Sequence, residues 1–331
     1  NSFINNNPEP RTPIYPRRNQ NDPSYTLPES QLRSALYIPP SSNSTGAPIL
    51  FVPGTGSFGG INFSPNLLKL ISLDPSLGQP YVLNIPRAML DNIQNNVEYI
   101  AYAINYISSL TGSAQISVIG WSQGNLATQW VLKYWPSARS QTKQLISFSP
   151  DFHGTAVVNL VDLPGPGPLA LPPAILQQRR DSDFIKTLRQ GGGDSAYVPT
   201  TTIYSALFDE IVQPQAGIIA SAYLRDSRGV GVSNNEIQSV CGPTPAGAFG
   251  THESVLFNGL GVALALDALK TGGPADPGRL NLGKVCQDAI YPGLDLEDVL
   301  VTEGLIPLAG ANILEDLDQG LLVEPEIRAY A

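Results

Sequence analysis

The stretch VIGWSQGNLATQW, residues 118–130, decides how the rest of the chain is interpreted. Its apolar first residues predict a buried strand, and residues 125–134 carry the apolar spacing of a helix. Between them, GWSQG (120–124) fits the pattern glycine-x-serine-x-glycine, in which a strand turns sharply into a helix with the serine at the apex. The glycines remove β-carbons that would clash in that turn. The alternative is an ordinary tight turn, but the flanking strand and helix favour Ser122 as a nucleophile at the positive end of a helix dipole.

Apolar runs alternate with helical patterns along most of the chain. Strands are predicted at PILFV (48–52), YVLNI (81–85), QISVI (115–119), QLISF (144–148) and TTIYSA (201–206). Helices are predicted after a cap at Asp91, over 125–134 and 254–270, and as one or two helices within 296–317. This alternation predicts an α/β fold, with a mainly parallel central sheet and helices on both faces. In such sheets the chemistry lies beyond the carboxyl ends of the strands.

We expect residues 1–331 to form a single domain. Residues 1–45, rich in Pro, Asn and Ser, predict an extended N-terminal arm without regular structure. The Pro/Gly-rich segment 161–178 suits either a mobile flap over a cleft or an ordinary surface loop. The C-terminal region 296–331 is predicted to be a helical and tail region, whose apolar faces belong to the core or line a pocket.

The formal net charge is −9 and no basic run is present, which makes nucleic acid an unfavourable partner and a neutral ligand a better one.

The chain begins Asn1-Ser2-Phe3 rather than with Met, as a processed product would. Asn43 and Asn62 lie in glycosylation sequons. Cys241 and Cys286 are too few for a zinc site and form either one bridge or two buried thiols. The sequons, the single pair of cysteines and the presence of only 1 Met favour secretion.

A nucleophilic serine needs a base, and the chain has only 2 histidines. In folds with this serine turn the order along the chain is serine, acid, histidine. His252 follows the last predicted strands and precedes a helix, as that order requires. His153 lies before any acid in that order, so we expect it near the rim of the cleft. The sequence therefore predicts His252 as the base.

The acid should follow a strand at the same edge of the sheet. Asp209 follows the second strand after the nucleophile strand and is the predicted acid. Asp151 follows the strand before that and is expected to be a buried supporting carboxylate. Glu210, adjacent to Asp209, is the alternative acid.

The third requirement is an oxyanion hole. One donor should be the backbone N–H of Gln123, which follows the nucleophile. The other should come from the glycine-rich end of PILFVPGTGSFGG (48–60), where the backbone can approach a substrate. A phosphate-binding loop is excluded here because no Lys follows in the required spacing. No dinucleotide-binding glycine pattern lies between a strand and a helix either.

Four segments together resemble the Candida antarctica lipase B family of fungal lipases: VPGTG (52–56), WSQG (121–124), YSALFDEIVQP (204–214) and VCGP (240–243). The resemblance implies a secreted serine hydrolase with the α/β-hydrolase fold that needs no metal or other cofactor. It implies hydrolysis of triacylglycerols and related carboxylic esters through an acyl-enzyme, with transesterification as a side activity. We expect a lipid or small-molecule ester as substrate, transient contact with lipid interfaces, and a monomer.

The resemblance also implies roles for individual residues. Ser122, Asp209 and His252 would form the triad, and Thr55 would join Gln123 in the oxyanion hole. Trp121 would form the floor of an alcohol pocket, Ile211 would touch the substrate, and Asp151 and Gln178 would lie at the mouth. Cys241 and Cys286 fall where the family has a disulfide. Two other functions remain open: an esterase for soluble esters, and a non-catalytic binding domain of the same fold.

Overall fold

The computed structural model describes residues 2–39, 46–112, 114–158, 169–206, 208–248 and 250–331. Its strands are β1 (Leu36–Tyr37), β2 (Pro48–Val52), β3 (Gln79–Leu83), β4 (Ile116–Trp121), β5 (Thr142–Phe148), β6 (Thr200–Tyr204) and β7 (Val232–Glu236). Its α-helices are α1 (Glu29–Ser34), α2 (Gly59–Phe63), α3 (Leu67–Leu73), α4 (Ile93–Leu110), α5 (Gln123–Tyr134), α6 (Pro136–Gln141), α7 (Pro173–Gln177), α8 (Asp183–Arg189), α9 (Ile237–Cys241), α10 (Pro245–Ala248), α11 (Gly259–Thr271), α12 (Leu282–Val285), α13 (Leu296–Glu303) and α14 (Leu305–Glu315).

Within these residues the strands form a 7-stranded sheet in the order β1-β3-β2-β4-β5-β6-β7. β1 pairs with β3 antiparallel, and every other neighbouring pair is parallel. The predicted, mainly parallel sheet is confirmed. The sequence analysis did not predict the two edge strands, because β1 has only two residues and β7 (VSNNE) is largely polar. Both lie at sheet edges, where burial is incomplete and the apolar signal is weak.

The sheet divides the apolar interior into two cores, and β2 contributes to both. Leu50 and Val52 join the core that contains the inner faces of α4 and α5. Ile49 and Phe51 join the core that contains α3 and α11. This alternation is the period-2 pattern of a strand buried on both faces. Helices therefore cover both faces of the sheet, and the carboxyl ends of β2 and β4 are fixed side by side.

The N-terminal arm is more regular than predicted. Within 2–39 it contains α1 and the edge strand β1, and the Leu32 side chain is fully buried in a core. The backbone N–H groups of Thr26 and Leu27 donate to the buried Glu98 carboxylate on α4 at 2.7 and 3.0 Å. A Pro-rich composition obscured a short helix that tertiary contacts stabilise. Residue 1 and residues 40–45 lie outside the described residues.

Several helix boundaries differ from prediction for local reasons. The segment predicted as one helix over 254–270 breaks at Asn258, whose side chain accepts from the N–H groups of Leu260 and Gly261 and starts α11 there. The first long helix is capped by Asn92 rather than Asp91. The region 296–317 holds two helices that meet at Gly304. The expected end of α11 is present, with Gly272 in the left-handed conformation.

Cys241 and Cys286 form a disulfide that joins the end of α9 to the residue after α12. Both cysteines are buried. The pairing implied by the resemblance is confirmed. None of the helices in the described ranges has the length and apolar character needed to cross a membrane.

Replacing Cys241 and Cys286 together with alanine is expected to lower the free energy of unfolding by about 4 kcal/mol, because the unfolded chain regains the entropy of an open loop. The bond closes a sequence separation of 45 residues. Urea unfolding should show a lower midpoint. The reduced intact chain is the matched control and should unfold at the same midpoint as the variant. Equal midpoints for the variant and the oxidised intact chain would contradict this prediction.

Candidate active site

Ser122 lies at the junction between β4 and α5. Its backbone has φ 53° and ψ −130°, a strained conformation for a residue with a side chain. A β-carbon at position 120 would collide with the side chain of Asn125, and one at position 124 would lie 2.6 Å from the Val52 carbonyl oxygen. The two glycines therefore allow the sharp turn, as the sequence pattern predicts. The turn places Ser122 at the N-terminus of α5, with its side chain facing a cavity.

The ring of His252 is held in one orientation by a buried carboxylate. Its Nδ1 lies 3.0 Å from Oδ1 and 2.9 Å from Oδ2 of Asp209. Oδ1 of Asp209 also accepts from the N–H groups of Ile211 and Val212 at 3.1 and 2.7 Å. Asp209 and His252 are each 1% exposed, so solvent screens this ion pair very little. The loop that follows β6 thus fixes the carboxylate, and the carboxylate fixes the imidazole.

The other ring nitrogen of His252 is available for proton transfer. Its Nε2 is buried and has no hydrogen-bond partner among the described residues. His252 and Ser122 line the same cavity. Burial by itself would lower the pKa of His252, but the charge of Asp209 and its hydrogen bond outweigh burial and raise that pKa. The arrangement can therefore accept a proton at Nε2 and stabilise the resulting imidazolium.

The alternative bases and acids lie elsewhere. Glu210 accepts from the backbone N–H of His252 at 3.1 Å rather than from its ring. The ring of His153 lies 3.4 Å from Asp194, and His153 is not among the described residues that line the cavity. Asp151 is 1% exposed, and neither of its carboxyl oxygens has a hydrogen-bond partner within the described chain. Burial raises the pKa of Asp151 to about 7, although the nearby His252 opposes this shift.

The placement of Asp151 at the cavity mouth is therefore wrong. Its side chain is enclosed, and Asp151 does not belong to the described lining of the cavity. The other prediction, that Asp151 is a buried carboxylate near Asp209, agrees with the structure. A sequence position directly after a strand marks the correct edge of the sheet but does not distinguish a residue at the surface of a cleft from one beneath it.

The loop after β2 brings Thr55 to the same cavity, within a chain of hydrogen bonds. The Gln123 side chain donates from Nε2 to Thr55 Oγ1 at 2.9 Å. Thr55 Oγ1 in turn donates to Gln178 Oε1 at 2.9 Å. Asn96, on α4, donates to Gln123 Oε1 at 3.4 Å. The Thr55 hydroxyl is thus oriented from one side by Gln123, while its own proton points to a neutral acceptor that a developing oxyanion would outcompete.

Asn62 shapes this loop rather than carrying a glycan. Its side chain is fully buried, accepts from the Gly54 N–H at 2.9 Å and donates to Ser57 Oγ at 2.6 Å. A glycan on that amide nitrogen would have no space and would break the bond to Ser57. The prediction of glycosylation at Asn62 is wrong for this reason. The other sequon, at Asn43, lies outside the described residues.

The cavity has a volume of about 310 Å³ and an apolar wall. The predicted residues Thr55, Trp121, Gln178 and Ile211 line it together with Ser122 and His252. Trp121 also donates from its indole N–H to the His252 carbonyl oxygen at 3.1 Å, so its ring supports the histidine. Lining residues that were not singled out from the sequence are Thr155, Val157, Val158, Leu171, Ile175, Val212, Ile306, Ala309, Gly310 and Ile313.

Most of these additional residues come from two segments whose apolar character was visible. Leu171 and Ile175 belong to the Pro-rich segment 161–178, whose residues 161–168 lie outside the described ones. Ile306, Ala309 and Ile313 lie on one face of α14, as their spacing of three and four residues requires. The sequence showed an apolar face but not what it packs against. In the structure this face of α14 lines the cavity, which is one of the two predictions for the C-terminal region; the other was a place in the core.

The chain is similar to known proteins over its whole length. It is 48% identical to lipase B from Aspergillus fumigatus, whose crystal structure superposes with a TM-score of 0.93 over 100% of this chain and 78% of that one. The chain belongs to the lipase B family. A stretch of 227 residues, 67% of the chain, is 38% identical to lipase B from Pseudozyma antarctica and spans 62% of that protein, less than two thirds of its length. No known family model matches the chain.

The predicted α/β-hydrolase fold is thereby confirmed, since the lipase B structure and this chain share one architecture across the entire sheet. The resemblance stated from four short segments is confirmed as well. The roles of the individual site residues rest on the geometry described above.

Proposed function

We propose that this member of the lipase B family is a serine ester hydrolase. Ser122 is the nucleophile and His252 is the general base and acid. Asp209 orients His252 and stabilises its protonated form. The observation that carries the proposal is the buried ion pair between His252 Nδ1 and Asp209, 2.9 Å long, beside a cavity that His252 and Ser122 both line. A non-catalytic domain would have no use for a desolvated imidazole with a free Nε2.

The reaction proceeds in two halves. Nε2 of His252 takes the proton of the Ser122 hydroxyl while Oγ bonds to the ester carbonyl carbon. The tetrahedral oxyanion accepts from the backbone N–H of Gln123 and from the backbone N–H and hydroxyl of Thr55. The carbon–oxygen bond to the alcohol breaks, and His252 returns its proton to the alcohol as it leaves. Water then attacks the acyl-enzyme by the same steps, and a second alcohol in its place gives transesterification.

Replacing Thr55 with valine is expected to lower kcat by roughly 10²–10³-fold, because the variant loses one donor to the oxyanion while keeping the backbone N–H and the shape of the side chain. KM should change little, since the hydroxyl acts in the transition state. Steady-state kinetics on p-nitrophenyl butyrate measures both constants. Gln178→Leu is the comparison variant, because it removes the resting acceptor of that hydroxyl, together with the bond from Gln178 Nε2 to the Ala174 carbonyl oxygen, but leaves the hydroxyl itself in place. Unchanged turnover in Thr55→Val would exclude the hydroxyl from the oxyanion hole.

The substrate class follows from the walls of the cavity and from its surroundings. Apolar side chains line the cavity, so burial of an acyl chain is favourable at about 0.8 kcal/mol per methylene group. Exposed apolar side chains continue outward from the lining elements, namely Leu169, Leu314, Leu322 and Val323. Leu171, which lines the cavity, forms a backbone bridge with Leu321, and Leu321 directly precedes the exposed Leu322 and Val323. We infer triacylglycerols and related lipid esters as substrates, with transient contact at a lipid interface.

The second candidate is an esterase for soluble esters, which the modest volume of the cavity, about 310 Å³, favours. Hydrolysis of tributyrin below and above its solubility limit separates the two. A lipase that uses the exposed apolar side chains should show a rise in rate when droplets form. A rate that saturates below the limit and stays flat above it favours the soluble-ester esterase. No hydrolysis by the folded chain at any concentration would remove both enzymatic functions.

We also propose that the protein acts as a secreted monomer. The disulfide and the sequon at Asn43 support an oxidising, extracellular compartment. Gel filtration with light scattering tests the oligomeric state, and a stable dimer would contradict the second part of this proposal.

A further inference from the structure

A second cleft lies behind the loop that lines the ester cavity. A hollow of about 160 Å³ is lined by His153, Arg180, Arg189, Asp194, Ile218, Ile219, Tyr223 and Arg225. A neighbouring hollow of about 340 Å³ shares Arg180, Arg189 and Asp194 with it and adds Lys186. We call the two together the arginine cleft. It is separate from the ester cavity, because none of its described lining residues lines that cavity.

The arginine cleft gathers positive charge in a chain whose net charge is −9. The charge of Arg189 is balanced by Asp194, because Nε and Nη2 of Arg189 donate to the Asp194 carboxylate at 2.8 and 3.1 Å. Arg180 and Arg225, in contrast, form no ion pair with any described residue. Nη1 of Arg180 is buried and has no hydrogen-bond partner within the described chain. Asp194 is the only carboxylate in the described lining of either hollow.

Arg180 is half-buried, and its Nη1 atom has given up water without gaining an acceptor, which is costly, whereas Arg225 is exposed to solvent. Burial and the neighbouring charge of Arg189 lower the pKa of Arg180, which shows the same unfavourable environment for its charge. The Nε2 atom of His153 is also buried in this cleft and lies 3.4 Å from Oδ1 of Asp194. An anion with several acceptor oxygens would give Nη1 of Arg180 an acceptor and would balance the charge of Arg225.

We propose that the arginine cleft binds a tetrahedral oxyanion of the phosphate class, with Arg180 and Arg225 as its main ligands and His153 and Arg189 beside them. Guanidinium groups suit such an anion, because their planar donors match pairs of phosphate oxygens. The rim carries Ile218 and Ile219, 78% and 62% exposed, which would tolerate the apolar part of a larger ligand. The anion could therefore come from free phosphate or from a phosphomonoester headgroup of a lipid. The site uses no residue of the triad and does not depend on the proposed ester hydrolysis.

Calorimetric titration with inorganic phosphate in low-salt chloride buffer tests the proposal. The intact chain should bind phosphate saturably at one site. Arg180→Gln and Arg225→Gln should each weaken binding roughly 10- to 100-fold, as expected for the loss of a charged hydrogen-bond donor. Arg11→Gln, an exposed arginine outside the cleft, makes the same change in net charge and should bind like the intact chain. Circular dichroism and thermal unfolding show whether each variant is folded. If Arg180→Gln does not fold, the result for Arg225→Gln decides.

Sedimentation with vesicles identifies the source of the anion. Two kinds of vesicle are compared: phosphatidylcholine alone, which exposes only phosphodiesters, and phosphatidylcholine with phosphatidic acid, which also exposes a phosphomonoester. Binding that requires phosphatidic acid and is lost in both arginine variants supports the headgroup as the source. Phosphate binding without any preference for phosphatidic acid supports the free anion. Absence of saturable binding to both, or binding that the two arginine variants leave unchanged, would overturn the proposal.

Discussion

Replacing Ser122 with alanine is expected to lower kcat for p-nitrophenyl butyrate by about 10⁶-fold, to a residual rate roughly 10³–10⁴-fold above the uncatalysed one, because the oxyanion hole and binding remain. Alanine removes the only atom that can form the acyl-enzyme while leaving the strained turn and the cavity in place. Because the members of such a triad act as one unit, no second nucleophile can compensate for the loss. Initial rates for the two proteins, prepared side by side, measure the effect.

Two controls separate loss of chemistry from loss of fold. Ser72→Ala removes an exposed hydroxyl that binds only the Lys69 carbonyl oxygen and should leave the rate unchanged. Thermal unfolding of Ser122→Ala should resemble that of the intact chain, since the substitution is small and relieves no buried charge. Equal activity of Ser122→Ala and the intact chain would show that the nucleophile is misassigned.

Replacing Asp209 with asparagine is expected to lower kcat by about 10⁴-fold, because an amide can donate to Nδ1 of His252 and so favour the wrong tautomer. The charge of Asp209 also contributes to the raised pKa of His252. Its loss should lower that pKa, so the acid limb of the remaining activity should move to lower pH. A pH profile of kcat/KM measures both changes.

Glu210→Gln is the matched control for this prediction. It removes the same charge at the next position, but Glu210 accepts only from the backbone N–H of His252, and glutamine keeps an acceptor there. We expect its activity to stay near that of the intact chain. A larger loss in Glu210→Gln than in Asp209→Asn would make Glu210 the functional acid.

The sequence predicted those features that depend on local pattern. The buried strands β2, β4 and β5 are short apolar runs, and the turn at Ser122 is set by the glycines at positions 120 and 124. The order of serine, acid and histidine then singled out Asp209 and His252. The strands and the turn are confirmed because each depends on residues close together in the chain, whereas the roles of Asp209 and His252, inferred from the fixed direction of parallel strands, stay predictions.

Features that depend on packing between distant segments were not predictable in this way. Asn62 looks like a glycosylation site until its burial against Gly54 and Ser57 is known. Asp151 looks like a residue of the cavity mouth until both its oxygens prove to be enclosed. The side chain of Gln123 orients the Thr55 hydroxyl, a contact between residues 68 positions apart that the local pattern around the serine does not indicate. In each case a polar group is positioned by a partner that the local sequence does not reveal.

Covalent labelling with a p-nitrophenyl alkylphosphonate tests whether Ser122 is the nucleophile. Its phosphorus is attacked by the activated serine, p-nitrophenolate leaves, and the phosphonylated enzyme cannot be hydrolysed readily. The account predicts release of one equivalent of p-nitrophenolate per chain, complete loss of ester hydrolysis, and the added mass on the peptide that contains Ser122. Labelling of another residue together with loss of activity would contradict it, as would full hydrolytic activity in a chain that takes up no label.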